Sequence, residues 1–233
     1  MYARDIAGQE FTFGVSGKLI RNVLVMYDRE TNSLWSQLLG EAVQGEMVGA
    51  KLAFLPAWMT TWSEWKGLHP DTLALDKEGR RGSRDAYDFY YASAEAGVIG
   101  ETVQDERLPT KQFVIGVEYP QTAVAYPFSI LNDEPLINDM HDGLPTLIVF
   151  DAASAAGVAY NRQVNGQTLT FTATDIPRQL SDVETGSIWD SFSGVALTGP
   201  RAGQSLERVK STVVFWFGWK DFHPHTLIYG LDS

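Results

Sequence analysis

The stretch DRETNSLW, residues 28–35, is a polar turn closed by a tryptophan, and it recurs as DVETGSIW at residues 182–189. Walking forward in that register, Gly40, Ala42, Gly45, Gly49 and Leu52 meet Gly194, Ala196, Gly199, Gly203 and Leu206. WSEWKGLHPDTL (62–73) then meets WFGWKDFHPHTL (216–227), with both tryptophans, the lysine, His-Pro and Thr-Leu shared. Of the 48 positions from 28 to 75, 17 are identical to their partners without a gap. Upstream, YARDIAGQEFTF (2–13) matches YNRQVNGQTLTF (160–171), with four residues fewer in the second copy before Asp182. The chain is an internal duplication, and self-similarity of this kind fixes the architecture before any local signal does.

The repeated residues have physical readings. Asp28–Ser33 and Asp182–Ser187 are polar turns, the second offering Gly186 for a positive φ angle. Trp35 and Trp189 are the first large apolar residues after those turns and are read as core residues, with an aromatic ligand platform as the alternative role. Trp65 and Trp219 are read as core as well. The repeated glycines mark tight turns between short strands. In TTWSEWKGLHP, Trp62, Trp65 and Leu68 recur at helical spacing, Thr61 and Glu64 form a capping box, and Pro70 stops the helix. The counterpart VVFWFGWKDFHP begins in a more strand-like way.

Elsewhere strands are predicted in EFTFGVSG, LVMYD, KLAFLP, KQFVIGVEY, TAVAYPF, PTLIVFD, GVAYNRQV, QTLTFTAT and SLERVKS. Residues 118–127 read as a hairpin, and MHDGLP supplies a second, Asp-Gly turn. The fold class is therefore mainly β, α+β with few short helices, in two unequal repeat units of short antiparallel strands. The first unit is assigned to residues 1–80, a linker to 81–111 and the second, complete unit to 112–233. Residues 112–159 have no counterpart ahead of Tyr2, so the first unit is shortened. About 80 residues with an incomplete sheet are marginal alone, so the two units are expected to pack on each other.

Hydrophobic residues make up 44% of the 233-residue chain and aromatics 12%, enough for a sizeable core. The apolar runs fall far short of the roughly 20 residues that span a bilayer, no signal peptide is evident, and the chain reads as soluble. A net charge of −11 argues against nucleic acid as a partner. The one basic run, KEGRRGSR (77–84), reads as a solvated linker. With no cysteine, disulfides, thiolate metal sites and cysteine nucleophiles are excluded, and the compartment stays open between cytosol and periplasm.

LTF, VMYDRETNSLWSQ, GEAVQG, WKGLHPDTL, DERLPTKQFVIGVE, AVAYPFSIL and WDSFSGVALTGPRAG together resemble the prokaryotic family called domain of unknown function 3179, over nearly the whole chain. The resemblance implies an exported or lipid-anchored setting, periplasmic or extracellular, and no established activity. Members commonly carry a CPLC-type cysteine motif shortly before the equivalent of Tyr2. Here Met1 stands where that segment would be ending, so no thiol chemistry carries over.

Candidate chemistry is sparse. His69 and His223 are repeat equivalents before proline, read as turn-closing residues; with Asp71, Asp221 and His225 they match no ligand spacing, so neither metal nor cofactor is expected. His141 lies in an Asp-Gly turn and is expected to be exposed. The duplicated acids Asp28, Asp182, Glu30 and Glu184 are read as turn caps rather than a glycosidase pair, which needs two carboxyls about 5 to 10 Å apart. No nucleophile elbow, phosphate loop or His-Glu-x-x-His appears, and GVSGK (14–18) is too short to bind a nucleotide. No catalytic residue is assigned. The candidate ligand-binding residues are Trp35, Trp62, Trp189, Trp216, His69 and His223, for a small-molecule, glycan or protein partner. The leading expectation is a non-enzymatic β-rich binding module using aromatic surface between its units. A hydrolase with acids in the inter-unit cleft and a structural subunit assembling through the first unit are the alternatives.

Overall fold

The computed structural model describes residues 1–55, 57, 59–76 and 87–232. The first unit consists of β1 (Asp5–Ile6), β2 (Gln9–Glu10), β3 (Phe13–Ile20), β4 (Val23–Asp28), β5 (Leu34–Ser36), β6 (Glu41–Gln44) and α1 (Trp62–Leu68). A short helix, α2 (Asp88–Ala92), leads to the second unit. That unit opens with β7 (Phe113–Glu118), β8 (Ala123–Pro127), α3 (Phe128–Leu131), β9 (Leu136–His141), β10 (Leu144–Asp151) and β11 (Ala156–Asn161). It continues through β12 (Gln163–Val164), β13 (Gln167–Thr168), β14 (Phe171–Ala173), β15 (Gln179–Asp182), β16 (Ile188–Asp190) and β17 (Ala196–Thr198). It ends with β18 (Glu207–Arg208), β19 (Ser211–Phe215), α4 (Trp216–Phe222) and β20 (Leu227–Ile228).

The duplication is visible in register. Antiparallel sheet β3-β4-β5-β6 pairs Trp35 with Met26 and Ala42, and sheet β14-β15-β16-β17 pairs Trp189 with Leu180 and Ala196. The turn before each tryptophan explains its place. Asp28 is fully buried, and its carboxylate accepts from the Trp35 indole (2.7 Å) and the Thr31 hydroxyl. Asp182 accepts from Trp189 (2.8 Å) and Thr185 in the same way. The left-handed turn position is held by Asn32 (φ 57°) in one copy and Gly186 (φ 68°) in the other. The rings are fully buried, edge-on to Phe13 and to Phe171. A tryptophan follows the turn because the turn builds the acceptor that lets an indole N–H be buried without cost.

The second unit is layered. Helix α4 lies on sheet β19-β7-β8-β20, this on sheet β18-β11-β10-β9, and this on β14-β15-β16-β17. Alternation along β10 sends Leu147 and Val149 to one core and Ile148 and Phe150 to the next, so the run TLIVF is buried on both faces. Among its described residues the first unit shows the β1-β2 pair, its outer sheet and its helix. Its core is small, with Trp35, Ala42 and Leu52 buried and Phe13, Met26 and Met47 partly so.

Several elements follow the sequence reading: the β7–β8 hairpin, the Asp142-Gly143 turn (φ 51° and 77°) and the Thr61-capped helix. Others depart from it. Residues 51–55 make bridges, at Lys51 and Phe54, rather than a strand. Within 205–211, β18 is two residues long. Strand β9 and helix α2 were not predicted, and β20 pairs with β8 in parallel. Within the segment assigned as linker, residues 101–108 pack against α4. The basic run 77–84 lies outside the described residues. The units touch through Arg178–Glu64 (3.1 Å), Lys210 Nζ to the Leu39 carbonyl (3.3 Å) and Arg21, whose guanidinium donates to the Asp221 carbonyl. Asn22 ties the first unit to the intervening segment, its amide reaching the Gly100 carbonyl and its oxygen accepting from Val98 and Ile99.

Candidate partner interface

Strand β19 runs straight into α4, and of the helix's seven residues all but Phe222 are buried. Trp216 and Trp219 point at the β7–β8 hairpin, among Val114, Ala125, Ile228 and Leu108. The Trp219 ring lies directly over Gly116, where a Cβ would come within 2.3 Å of it. The polar groups of Trp216, Trp219, Lys220 and Asp221 all have partners. The Trp219 indole donates to Thr226 Oγ1 (2.9 Å) and that of Trp216 to the Asp105 carbonyl (3.1 Å). The Lys220 ammonium, almost wholly buried, reaches Glu101 (2.8 Å) and the Asp105 carbonyl (2.9 Å). Asp221 accepts from the backbone N–H groups of Thr102 and Val103. His223 closes the helix and stacks on Trp219, ring centres 4.0 Å apart.

Helix α1 repeats the local half of this design. Thr61 Oγ1 accepts from Glu64 N–H (3.2 Å), Trp65 donates to Thr72 (3.0 Å), and His69 stacks on Trp65 at 4.2 Å. Of the tertiary half there is the Glu64–Arg178 ion pair. No residue of α1 is buried. Trp62 is 54% exposed where its equivalent Trp216 is 0%, and Leu73 and Leu75 are 92% and 88% exposed. Lys66 turns back onto the Pro70 and Thr72 carbonyls. The described residues equivalent to β19, Ala57 and Met59–Thr61, form no strand.

The six sequence-predicted ligand residues do not form one site. Trp35, Trp189 and Trp216 lie in three separate cores with their indole nitrogens bonded inside the fold, so they present no ring face to a ligand. Trp62 and His69 are exposed together on α1. His223 sits half-buried beside the end of β7, 3.7 Å from Glu118, which also pairs with Lys210 at 3.0 Å. Burial pushes its imidazole below the usual range; Glu118 opposes this, while Lys210 and Arg21 add to it. Trp219 is core as expected, but Trp65 is only half-buried, because no strand among the described residues covers it as β7 covers Trp219.

The acids act as structural anchors. Burial alone would push Asp28 and Asp182 up, but the hydrogen bonds from tryptophan and threonine outweigh it and hold both below the usual carboxylate range. Glu30 is lowered by the Thr12 N–H and Asp105 by Arg107. His141 is not a free turn residue: two positions apart on β9, it meets Asp139 at 3.0 Å, which also accepts from the Tyr126 hydroxyl at 2.9 Å. Among the described residues no three His, Asp or Glu side chains converge as a metal site would require. Met59, Leu73 and Leu75 were passed over as exposed apolar residues. Their signal was the unequal length of the copies, which says which part of the second unit has no partner in the first.

A family model described as a protein of unknown function (DUF3179) matches residues 1–226. The chain belongs to the DUF3179 family. That assignment covers both repeat units, so the open α1 face and the covered α4 face lie within one DUF3179 match. No curated protein and no solved structure matches the chain. Among the described residues of this DUF3179 chain no helix is long and apolar enough to cross a membrane.

Proposed function

We propose that this chain is a non-enzymatic interaction module whose first unit engages a protein partner through the α1 face. The observation that carries the reading is the contrast between two helices of one sequence pattern, α4 buried over six of seven residues and α1 over none. Large apolar side chains left in water forgo roughly 1.5–3 kcal/mol each, and contiguous patches of them mark interaction sites. Met59, Trp62, Leu73 and Leu75 supply such side chains around α1. A hydrolase acid would need a carboxyl held protonated near neutral pH. Asp28, Glu30, Asp105 and Asp182 are shifted the other way, so none of these four is held ready as such an acid.

The test is dye binding and self-association of the free chain. An open face should bind anilinonaphthalene sulfonate and give reversible association in sedimentation velocity. Both should be lost in the Leu73→Lys, Leu75→Lys variant with its melting temperature unchanged. A wild-type chain that leaves the dye dark and sediments as a monomer at every concentration would contradict the reading.

A further inference from the structure

We infer that the junction between the two units is an acid-sensitive latch, in which protonation of His223 loosens the contacts that Arg21 and Lys210 make across it. This goes beyond the proposed interaction role and does not depend on it. Two cations bridge the units here. Arg21, in the β3–β4 turn of the first unit, donates to the Asp221 carbonyl on α4, and its guanidinium lies 5.4 Å from the centre of the Phe222 ring. Lys210, just ahead of β19, donates to the Leu39 carbonyl of the first unit (3.3 Å). The same ammonium bonds both Glu118 oxygens, at 3.0 and 3.2 Å. His223 lies within electrostatic range of Glu118, Lys210 and Arg21. Arg21 is the one member of that cluster contributed by the first unit.

The imidazole is placed to respond to acid. It stacks on Trp219, and its Nε2 is buried without a hydrogen-bond partner, 3.7 Å from Glu118. The ring borders an open cavity of about 530 Å3 shared with Thr122 and His225, which gives protons a route to it. Burial, Lys210 and Arg21 favour the neutral ring, and Glu118 favours the cation. Tyr2, beside Glu118, is pushed up to about 12 by burial and then by Glu118, so it does not titrate near neutrality. The Met1 α-amino group lies near Lys210 and is not among the charges acting on the ring. Once charged, His223 adds a third cation beside Arg21 and Lys210. It also offers Glu118 a donor that competes with Lys210, which loses the carboxylate that aims it at Leu39. Opening the junction takes Arg21 away from the ring, so the open form binds the proton more tightly, and the proton in turn favours opening. The closed form holds the ring below its ordinary value of 6.5. The junction is therefore fully closed above that pH and weakens as pH falls from there through the closed-form value.

The test is amide exchange by NMR on the full chain between about pH 7.5 and 5, read as protection factors so that the intrinsic pH dependence of exchange is removed. The reporters are Gly40, next to Leu39, and Val98 and Ile99, whose amides bond Asn22 beside Arg21. Their protection should fall about fivefold or more on acidification, while Val114 and Ile148 in the second unit's cores keep theirs. The His223 ring signals should titrate with the same midpoint. His223→Phe keeps a ring on Trp219, removes the proton and leaves Met1 in place, so it should abolish the response. Glu118→Gln removes the one group favouring the cation and should move the midpoint to lower pH. His225→Gln should respond as the wild type does. Protection independent of pH in the wild type would overturn the inference, and so would a response that survives His223→Phe. A midpoint unmoved by Glu118→Gln would overturn it as well, and a response lost in His225→Gln would assign the proton to the neighbouring ring.

Discussion

The ring of Trp219 lies against the backbone of Gly116, so that a single added carbon there would meet it at 2.3 Å. This contact locks α4 to the β7–β8 hairpin, and it has no counterpart at Trp65. Gly116→Ala should destabilise the chain by about 1–3 kcal/mol, the usual range for overpacking a closed core. Urea denaturation measures it. A loss near zero would mean that the helix can lift off its sheet at no cost.

The two repeat-equivalent tryptophans should differ sharply on truncation. Trp219→Ala removes a fully enclosed ring and should cost about 3–5 kcal/mol. Trp65→Ala removes a half-buried ring from a helix with no tertiary cover and should cost roughly 1 kcal/mol, closer to a surface change. Parallel denaturant titrations of the two variants decide it, and equal losses would show that α1 is packed as tightly as α4.

Lys220 and Lys66 give the same comparison in charge. Lys220→Met leaves Glu101 without its buried partner and should cost about 3–5 kcal/mol. Lys66→Met touches only exposed carbonyl contacts and should lie within about 0.5 kcal/mol of wild type. Thermal melts of both variants supply the test.

The anchored aspartates set an acid limit on stability. Asp28 and Asp182 have folded pKa values depressed below those of the unfolded chain. Their contribution is therefore fully present above the ordinary carboxylate pKa of about 3.9 and is lost as pH falls through the folded values. Asp182→Asn keeps an acceptor for the Trp189 indole but removes the titration. The variant should be less stable than wild type at neutral pH, and the difference should shrink as the pH drops below about 4. A difference independent of pH would show that Asp182 contributes shape alone.

Much of this was legible in the chain because the duplication compares residues under two conditions. The gapless register of Trp35 with Trp189 and of His69 with His223 placed equivalent turns and tryptophans in both units, while the helix at 216–222 was obscured by its strand-like approach. Thr61 announced its helix by capping chemistry that needs no tertiary partner. The burial of Trp216 was not legible. Trp216 shares the W-x-x-W-K pattern with Trp62, and its ring is covered by a hairpin about a hundred residues upstream. Residues 101–108 looked like linker because polar, glycine-flanked segments do, yet Asp221 and Lys220 use their backbone groups as partners. His141 read as a surface turn because a strand's two-residue alternation is weak over LINDMH, which hides its pairing with Asp139.

The central claim is that two copies of one helix motif stand in opposite states, covered in the second unit and open in the first. Native-state hydrogen exchange on the free chain measures that directly. Amides of α4 should exchange only through global unfolding, and those of α1 should exchange orders of magnitude faster through local opening. Equal protection of residues 62–68 and 216–222 would contradict the account.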